Sequence, residues 1–247
     1  MKAYAKTDIG AKRQTNQDYV FCSMRPVGSL PNLFIVADGM GGHKAGDLAS
    51  RYTVEEFLEV VRNSKADNPI TVIEEAVTKA NLMLIQKSKE SIDYEGMGTT
   101  LVVATIIGRS VYIANVGDSR LYLINNEIQQ ITRDHSLVEE MISLGEIDRK
   151  KARTHEKKNI ITRAIGVDSE VVADFFEIDY SDGDIILMCS DGLSNMIDDD
   201  EIKLIVNQGT DLSEITNKLI ETANRNGGRD NISVVLVEPD YEEVKAC

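Results

Sequence analysis

Cysteine is scarce in this chain: three in 247 residues, at Cys22, Cys189 and Cys247. They are too few and too scattered for a disulfide framework or a zinc knuckle, which fits a reducing compartment and makes the cytoplasm the expected location. Long apolar runs are missing as well. No stretch of 18 apolar residues occurs, and Met1-Lys2-Ala3 does not open a signal peptide, so neither a membrane span nor export is expected. Basic residues are outnumbered, 27 Lys and Arg against 41 Asp and Glu. The resulting formal charge of −14 argues against non-specific binding to nucleic acid or to an anionic membrane. It leaves an anionic substrate open, because bound metal ions invert the local sign. Internal repeats, low-complexity tracts and long linkers are absent too. The length suits one large domain, expected over 1–240 with a short tail at 241–247, and nothing demands more than a monomer.

What is present begins with Phe34-Ile35-Val36-Ala37-Asp38-Gly39-Met40-Gly41-Gly42-His43. The four apolar residues read as a buried strand. It ends on Asp38, a charge that costs several kcal/mol to bury unpaired. The glycines permit positive φ and close backbone approach. His43 stands just before a stretch with a helical stripe at Val54, Phe57, Leu58 and Val61. Taken alone, this passage is equally well read as a tight strand-to-helix turn.

Along the rest of the chain, 1–7 and 19–22 read as strands. Asn68-Pro69 is an N-cap followed by an N1 proline, opening a second helix with Ile73, Ala76, Val77, Ala80 and Leu84 inside. Segments 99–107, 111–116, 121–124 and 129–132 form a meander whose short connections favour antiparallel pairing. Residues 136–163 form a polar insert, helical around Leu137, Met141 and Leu144. Strands are expected again at 171–178, 184–189 and 232–237. Asp199 or Asp200 is expected to cap a short helix, and Asp211 with Glu214 resembles a capping box opening a longer one. This pattern predicts an α+β fold: a central β-sandwich of two antiparallel sheets flanked by pairs of helices. It is not the βαβ alternation of a dinucleotide-binding domain, and the glycine spacing around Gly39 is wrong for one.

Asp38 has company. Asp18, Asp118, Asp191 and Asp230 also abut predicted core strands, most with a glycine adjacent. Singly each reads as a turn aspartate. Together they suggest convergence, at a cost: two unit charges 4 Å apart repel by about 4 kcal/mol at an effective dielectric of 20. Mg²⁺ or Mn²⁺, with all-oxygen ligands, offsets this. Two such ions about 3.5–4 Å apart steady an in-line displacement at phosphorus. Arg13 has the fork to grip a phosphate, or else it makes a surface salt bridge. His43 could protonate a leaving alkoxide, or serve as a structural histidine. His135 and His155 read as structural or substrate-side.

The ordered set Arg13-Gln14-Thr15-Asn16-Gln17-Asp18, Asp38-Gly39-Met40-Gly41-Gly42-His43, Gly98-Thr99-Thr100, Gly117-Asp118-Ser119-Arg120, Ser190-Asp191-Gly192 and Gly228-Arg229-Asp230-Asn231 resembles the bacterial metal-dependent Ser/Thr protein phosphatases of the PPM (PP2C-like) class, nearly end to end. The resemblance implies two Mn²⁺ or Mg²⁺ ions at one end of the sandwich. Asp38 would bridge them, with the Gly39 carbonyl on one ion and Asp191 and Asp230 on the other. Asp18 would act through bound water on the Gly39 side, and Asp118 with Asp191 would hold a weaker third ion. Arg13 would grip the phosphate and His43 would be the general acid. The insert at about 136–163 would be the flap beside the active site; Glu156 after His155 stands where relatives often carry proline. Phosphorylated proteins would be the substrates and a cytoplasmic or membrane-anchored Ser/Thr kinase the functional partner.

Overall fold

The computed structural model describes residues 1–42 and 45–240; the expectations placed on His43 and on the tail at 241–247 lie outside the described residues. In chain order the elements are β1 (Lys2–Asp8), β2 (Asp18–Ser23), β3 (Leu33–Met40), α1 (Ala45–Asn63), α2 (Pro69–Ser88), β4 (Gly98–Thr99), β5 (Leu101–Ile107), β6 (Ser110–Val116), β7 (Arg120–Ile124), β8 (Ile128–Gln130), α3 (Leu137–Ser143), α4 (Arg149–Ala152), β9 (Asp174–Asp179), β10 (Ile185–Cys189), α5 (Asp191–Ser194), α6 (Asp199–Gln208), α7 (Leu212–Arg225) and β11 (Ile232–Glu238). Two sheets form, ordered β1-β11-β10-β7-β8 and β2-β3-β5-β6-β9, with β4 added to β3. Every described pairing is antiparallel.

The strands read as continuous apolar runs because both their faces are covered. In β3, Phe34 and Val36 pack between the sheets against Met188, Val235 and Val237, while Leu33, Ile35 and Ala37 face Phe57, Leu58 and Ile73 of α1 and α2. In β11, Val235 and Val237 point inward, and Ile232, Val234 and Leu236 pack on Ile205, Leu219 and Ala223 of α6 and α7. This period-two partition gives a sandwich with a helix pair on each outer face, as the sequence pattern predicts. Asn68 caps α2 by accepting from the Ile70 and Thr71 amides, and Asp211 caps α7 through the Ser213 and Glu214 amides.

Some local expectations need correction. The cap of α6 is Asp198, not Asp199 or Asp200: its Oδ1 accepts from the Glu201 amide at 2.8 Å, and the two later acids lie within the first turn. β9 begins at Asp174, three residues after the predicted 171. Among Gly39, Gly41 and Gly42, only Gly41 takes positive φ, at 141°. Gly39 is required by crowding, since a Cβ there would lie 2.0 Å from the Gly46 carbonyl oxygen.

The insert is tied at its base, where Leu137 N–H donates to Ile160 C=O at 2.9 Å and Thr162 N–H to His135 C=O at 2.8 Å. Among the described residues no helix is long and apolar enough to cross a membrane.

Candidate active site

Each predicted acid sits where a core strand gives out. Asp18 opens β2 and lies directly across the ladder from Asp38 in β3. Like charges in that register are destabilising, so local chemistry must compensate. Asp18 Oδ2 accepts from the Ser190 hydroxyl at 2.7 Å. The Asp38 backbone is fixed by Thr100, whose Oγ1 accepts the Asp38 N–H at 3.0 Å and whose N–H donates back to the Asp38 carbonyl at 2.9 Å. Asp118 lies in the turn from β6 to β7, Asp191 begins α5, and Asp230 precedes β11.

Asp38, Gly39, Asp118, Asp191 and Asp230 line one cleft of about 260 Å³ together with Arg13. Asp18 is buried behind it. A neighbouring hollow under the insert, about 220 Å³, shares Asp118 and Asp191. Asn231 clamps the near wall: its Oδ1 accepts the Gln17 N–H, and its Nδ2 donates to the carbonyls of Ile9 and Thr15. Thus the 9–18 loop, which carries Arg13 and Asp18, is fastened beside Asp230. Gly192, following Asp191, is another close approach; a Cβ there would sit 1.9 Å from the Asn231 carbonyl oxygen.

The acids disturb one another. Burial first, and then Asp191 and Asp230, push Asp18 up to about 7, against the Ser190 and Ser233 hydroxyls that oppose the shift. Asp191 rises to about 6 through burial and the neighbouring Asp230. Asp38 is raised well above the carboxylate range by burial, then by Asp18, Asp191, Asp118 and Asp230. Asp118 is likewise raised by burial, then by Asp191 and Asp134, with Arg120 opposing.

Two observations bear on whether this nest suits a cation. Asp18 Oδ1 and Asp191 Oδ1 are covered and lack any hydrogen-bond partner, an expensive arrangement unless something else meets them. Yet among the described residues no three His, Cys, Asp or Glu side chains are drawn close enough to hold an ion as they stand. These fit together. Mg²⁺-type ions retain several waters and need few direct carboxylates. The hard-oxygen donor set and the orphaned oxygens therefore fit a divalent cation.

Arg13 is half exposed and occupied: Nη2 donates to Asp230 Oδ2 at 2.7 Å, and Nε to the Arg229 carbonyl at 3.4 Å. His135 is structural, with Nδ1 accepting the Gly117 N–H at 3.0 Å and Nε2 3.1 Å from Asp174. His155 Nδ1 accepts the Lys157 N–H within the insert. Sequence reasoning missed Ser190 and Asn195 as partners of the acids. Ser190 and Thr100 stand within the sequence motifs with no role of their own legible there; Asn195 lies one helical turn after Asp191, the spacing that could have found it.

Residues 10–236 match the family described as Protein phosphatase 2C. The chain belongs to that family. Among its relatives is the Serine/threonine phosphatase stp of Listeria monocytogenes serotype 4b (strain F2365), 41% identical over 250 residues and 98% of both chains. In structure it is similar to the Serine/threonine phosphatase Stp1 from Staphylococcus aureus, with a TM-score of 0.90, 34% identity, and 97% of this chain and 95% of that one covered. It is also similar to the catalytic domain of the serine threonine protein phosphatase PstP in complex with two manganese ions, with a TM-score of 0.83, 32% identity and coverage of 95% and 96%.

Proposed function

We propose that the acid-lined cleft is the site at which this phosphatase-family chain hydrolyses phosphoserine and phosphothreonine in proteins, with Mn²⁺ or Mg²⁺ as cofactor. Asp38, with the Gly39 carbonyl, Asp191 and Asp230, would hold two ions; Asp18 would hold one of them through water, and Asp118 with Asp191 would hold a weaker third. When bound, the ions supply a Lewis acid at the phosphoryl oxygens and a nucleophile at neutral pH. The single observation that carries this reading is the pair of covered, partnerless oxygens on Asp18 and Asp191 in a cleft otherwise lined with acids.

The chain's own residues do the rest. Thr100 holds Asp38 by two main-chain contacts, so the carboxylate stands on a fixed backbone. Asn231 holds the 9–18 loop, which keeps Arg13 at the cleft mouth. Arg13, which contacts Asp230 at 2.7 Å, has the planar fork that would grip a phosphate at the cleft mouth, and Asp230 would be the carboxylate it shares with a bound ion. His43 is assigned the proton to the leaving alkoxide on its place in the motif. The tied insert at 136–163 is the flap over the neighbouring hollow. In this reading 1–240 is one catalytic domain, the protein acts as a monomer in the cytoplasm, and its substrates are supplied by a Ser/Thr kinase.

The test is manganese-dependent phosphate release from a phosphothreonine peptide, with a bis-substituted phosphodiester as control. Turnover of the peptide that EDTA abolishes supports the reading. Binding of the phosphopeptide without release would make the chain a recognition module, and preferred cleavage of the diester would make it a different hydrolase.

A further inference from the structure

Buried Asp18 and half-buried Asp191 each accept from a neutral side chain on Oδ2. Ser190 Oγ donates to Asp18 Oδ2 at 2.7 Å, and Asn195 Nδ2 donates to Asp191 Oδ2 at 2.9 Å. In both acids Oδ1 is covered and without a partner. Asn195 is the C-cap of α5, and its own N–H returns to the Asp191 carbonyl at 2.8 Å. Its side-chain amide has one possible orientation. Asn195 Oδ1 faces the Lys158 ammonium at 3.0 Å, and an ammonium has donors only, so the NH₂ end must face Asp191.

We propose that Asn195 is a positioning residue for Asp191: it occupies one carboxylate oxygen and leaves the other to ligate, with Lys158 fixing which end of the amide points at the acid. The inference rests on Asp191 being a metal ligand. The chemistry of the donor matters here. An amide stabilises the ionised carboxylate without cancelling its charge, whereas a cationic donor, such as Arg13 at Asp230, competes with the ion for it. Partners one step out from a metal ligand typically contribute about 10–100-fold to metal affinity. The main-chain bond from Asn195 to Asp191 survives side-chain substitution, so the cap of α5 and the carboxylate contact can be separated.

Asn195→Leu keeps the side chain's bulk and removes the donor; Asn195→Ala covers the case in which leucine packs badly. Asp191→Ala is the control for the underlying reading. The readouts are Mn²⁺ titration by calorimetry on the full chain and the melting temperature in EDTA. The expected result is a loss of Mn²⁺ affinity of about 10–100-fold in both Asn195 variants, with the EDTA melting temperature unchanged. Unaltered Mn²⁺ affinity, with or without a lower melting temperature, would make Asn195 purely structural and overturn the proposal while Asp191→Ala still lost the metal. Wild-type Mn²⁺ affinity in Asp191→Ala would instead remove the ligand reading, and the proposal with it.

Discussion

The middle of the sandwich and its acid-lined end are built from the same strands under opposite constraints. β3 runs from Phe34 and Val36, sealed between the sheets, to Asp38; β10 carries Ile186 and Met188 and ends at Cys189, just before Ser190 and Asp191. In the middle, each side chain excludes water from the next and lowers the free energy of the fold. At the end, each carboxylate raises the protonation tendency of its neighbours. The end persists because the middle and two outer helix layers hold its backbone in place. On the proposed reading stability and function are segregated along single strands, and that segregation can be tested from either end.

The largest effect is expected from Asp38→Asn, which keeps the shape and removes the charge. Turnover should fall by at least about 10³-fold, more than the loss of one electrostatic donor usually costs. The melting temperature in EDTA should rise, since a repulsive partner of Asp18 has gone. Calorimetry beside a phosphopeptide assay checks both; a variant that keeps its turnover places Asp38 outside the chemistry. Phe34→Ala should act in reverse. It should cost about 3–5 kcal/mol of stability in urea unfolding, with turnover per folded molecule and Mn²⁺ affinity retained. Equal losses in both would show that middle and end are not separable.

Acidity should sharpen the contrast. With Asp18 near 7 and Asp191 near 6 in the folded chain, the native state between about pH 4 and 7 keeps protons that the unfolded chain has released. EDTA-treated protein should therefore lose stability as pH rises through that window, and protection by Mn²⁺ should grow over the same range. Melting curves at a series of pH values, with EDTA and with Mn²⁺, measure this; a gap that does not widen with pH would mean the acids and the ion do not meet. The smallest effect is at the rim. Arg13→Ala should weaken kcat/KM by roughly ten- to a hundredfold, the worth of a hydrogen bond to a charged group, while Mn²⁺ binds equally well or more tightly once Asp230 loses its ion pair. Weaker Mn²⁺ binding would reassign Arg13 to holding Asp230.

Much of the middle was legible because its physics is periodic. The alternation in Phe34-Ile35-Val36-Ala37 and the stripe Val54, Phe57, Leu58, Val61 announce a strand and a helix, and the Asn68-Pro69 cap reads off directly. Short elements escaped. α5, four residues beginning at Asp191, has no room for a period, so the sequence shows only a turn. Three successive acids at 198–200 all suit a cap, and only the backbone selects Asp198. At the acid end, the residue types and their places after strands pointed to convergence. The neutral residues that support them, Ser190, Asn195 and Asn231, were silent because serine and asparagine are ordinary in turns. The roles of Gly39 and Gly192 were hidden for another reason: the carbonyls that crowd them arrive from Gly46 and Asn231, one in the following helix and one far along the chain.

β11, the last described strand, lies inside its sheet, between β1 and β10. While the polypeptide leaves the ribosome, β1 must wait until Ile232–Glu238 has emerged for the neighbour that will flank it, and Asp230 arrives only just ahead of that neighbour. An unfinished chain consequently exposes a raw sheet border and lacks one wall of the cleft. On the proposed reading, phosphate-releasing capacity should therefore switch on in one step once β11 has joined its sheet, with no partly active earlier form.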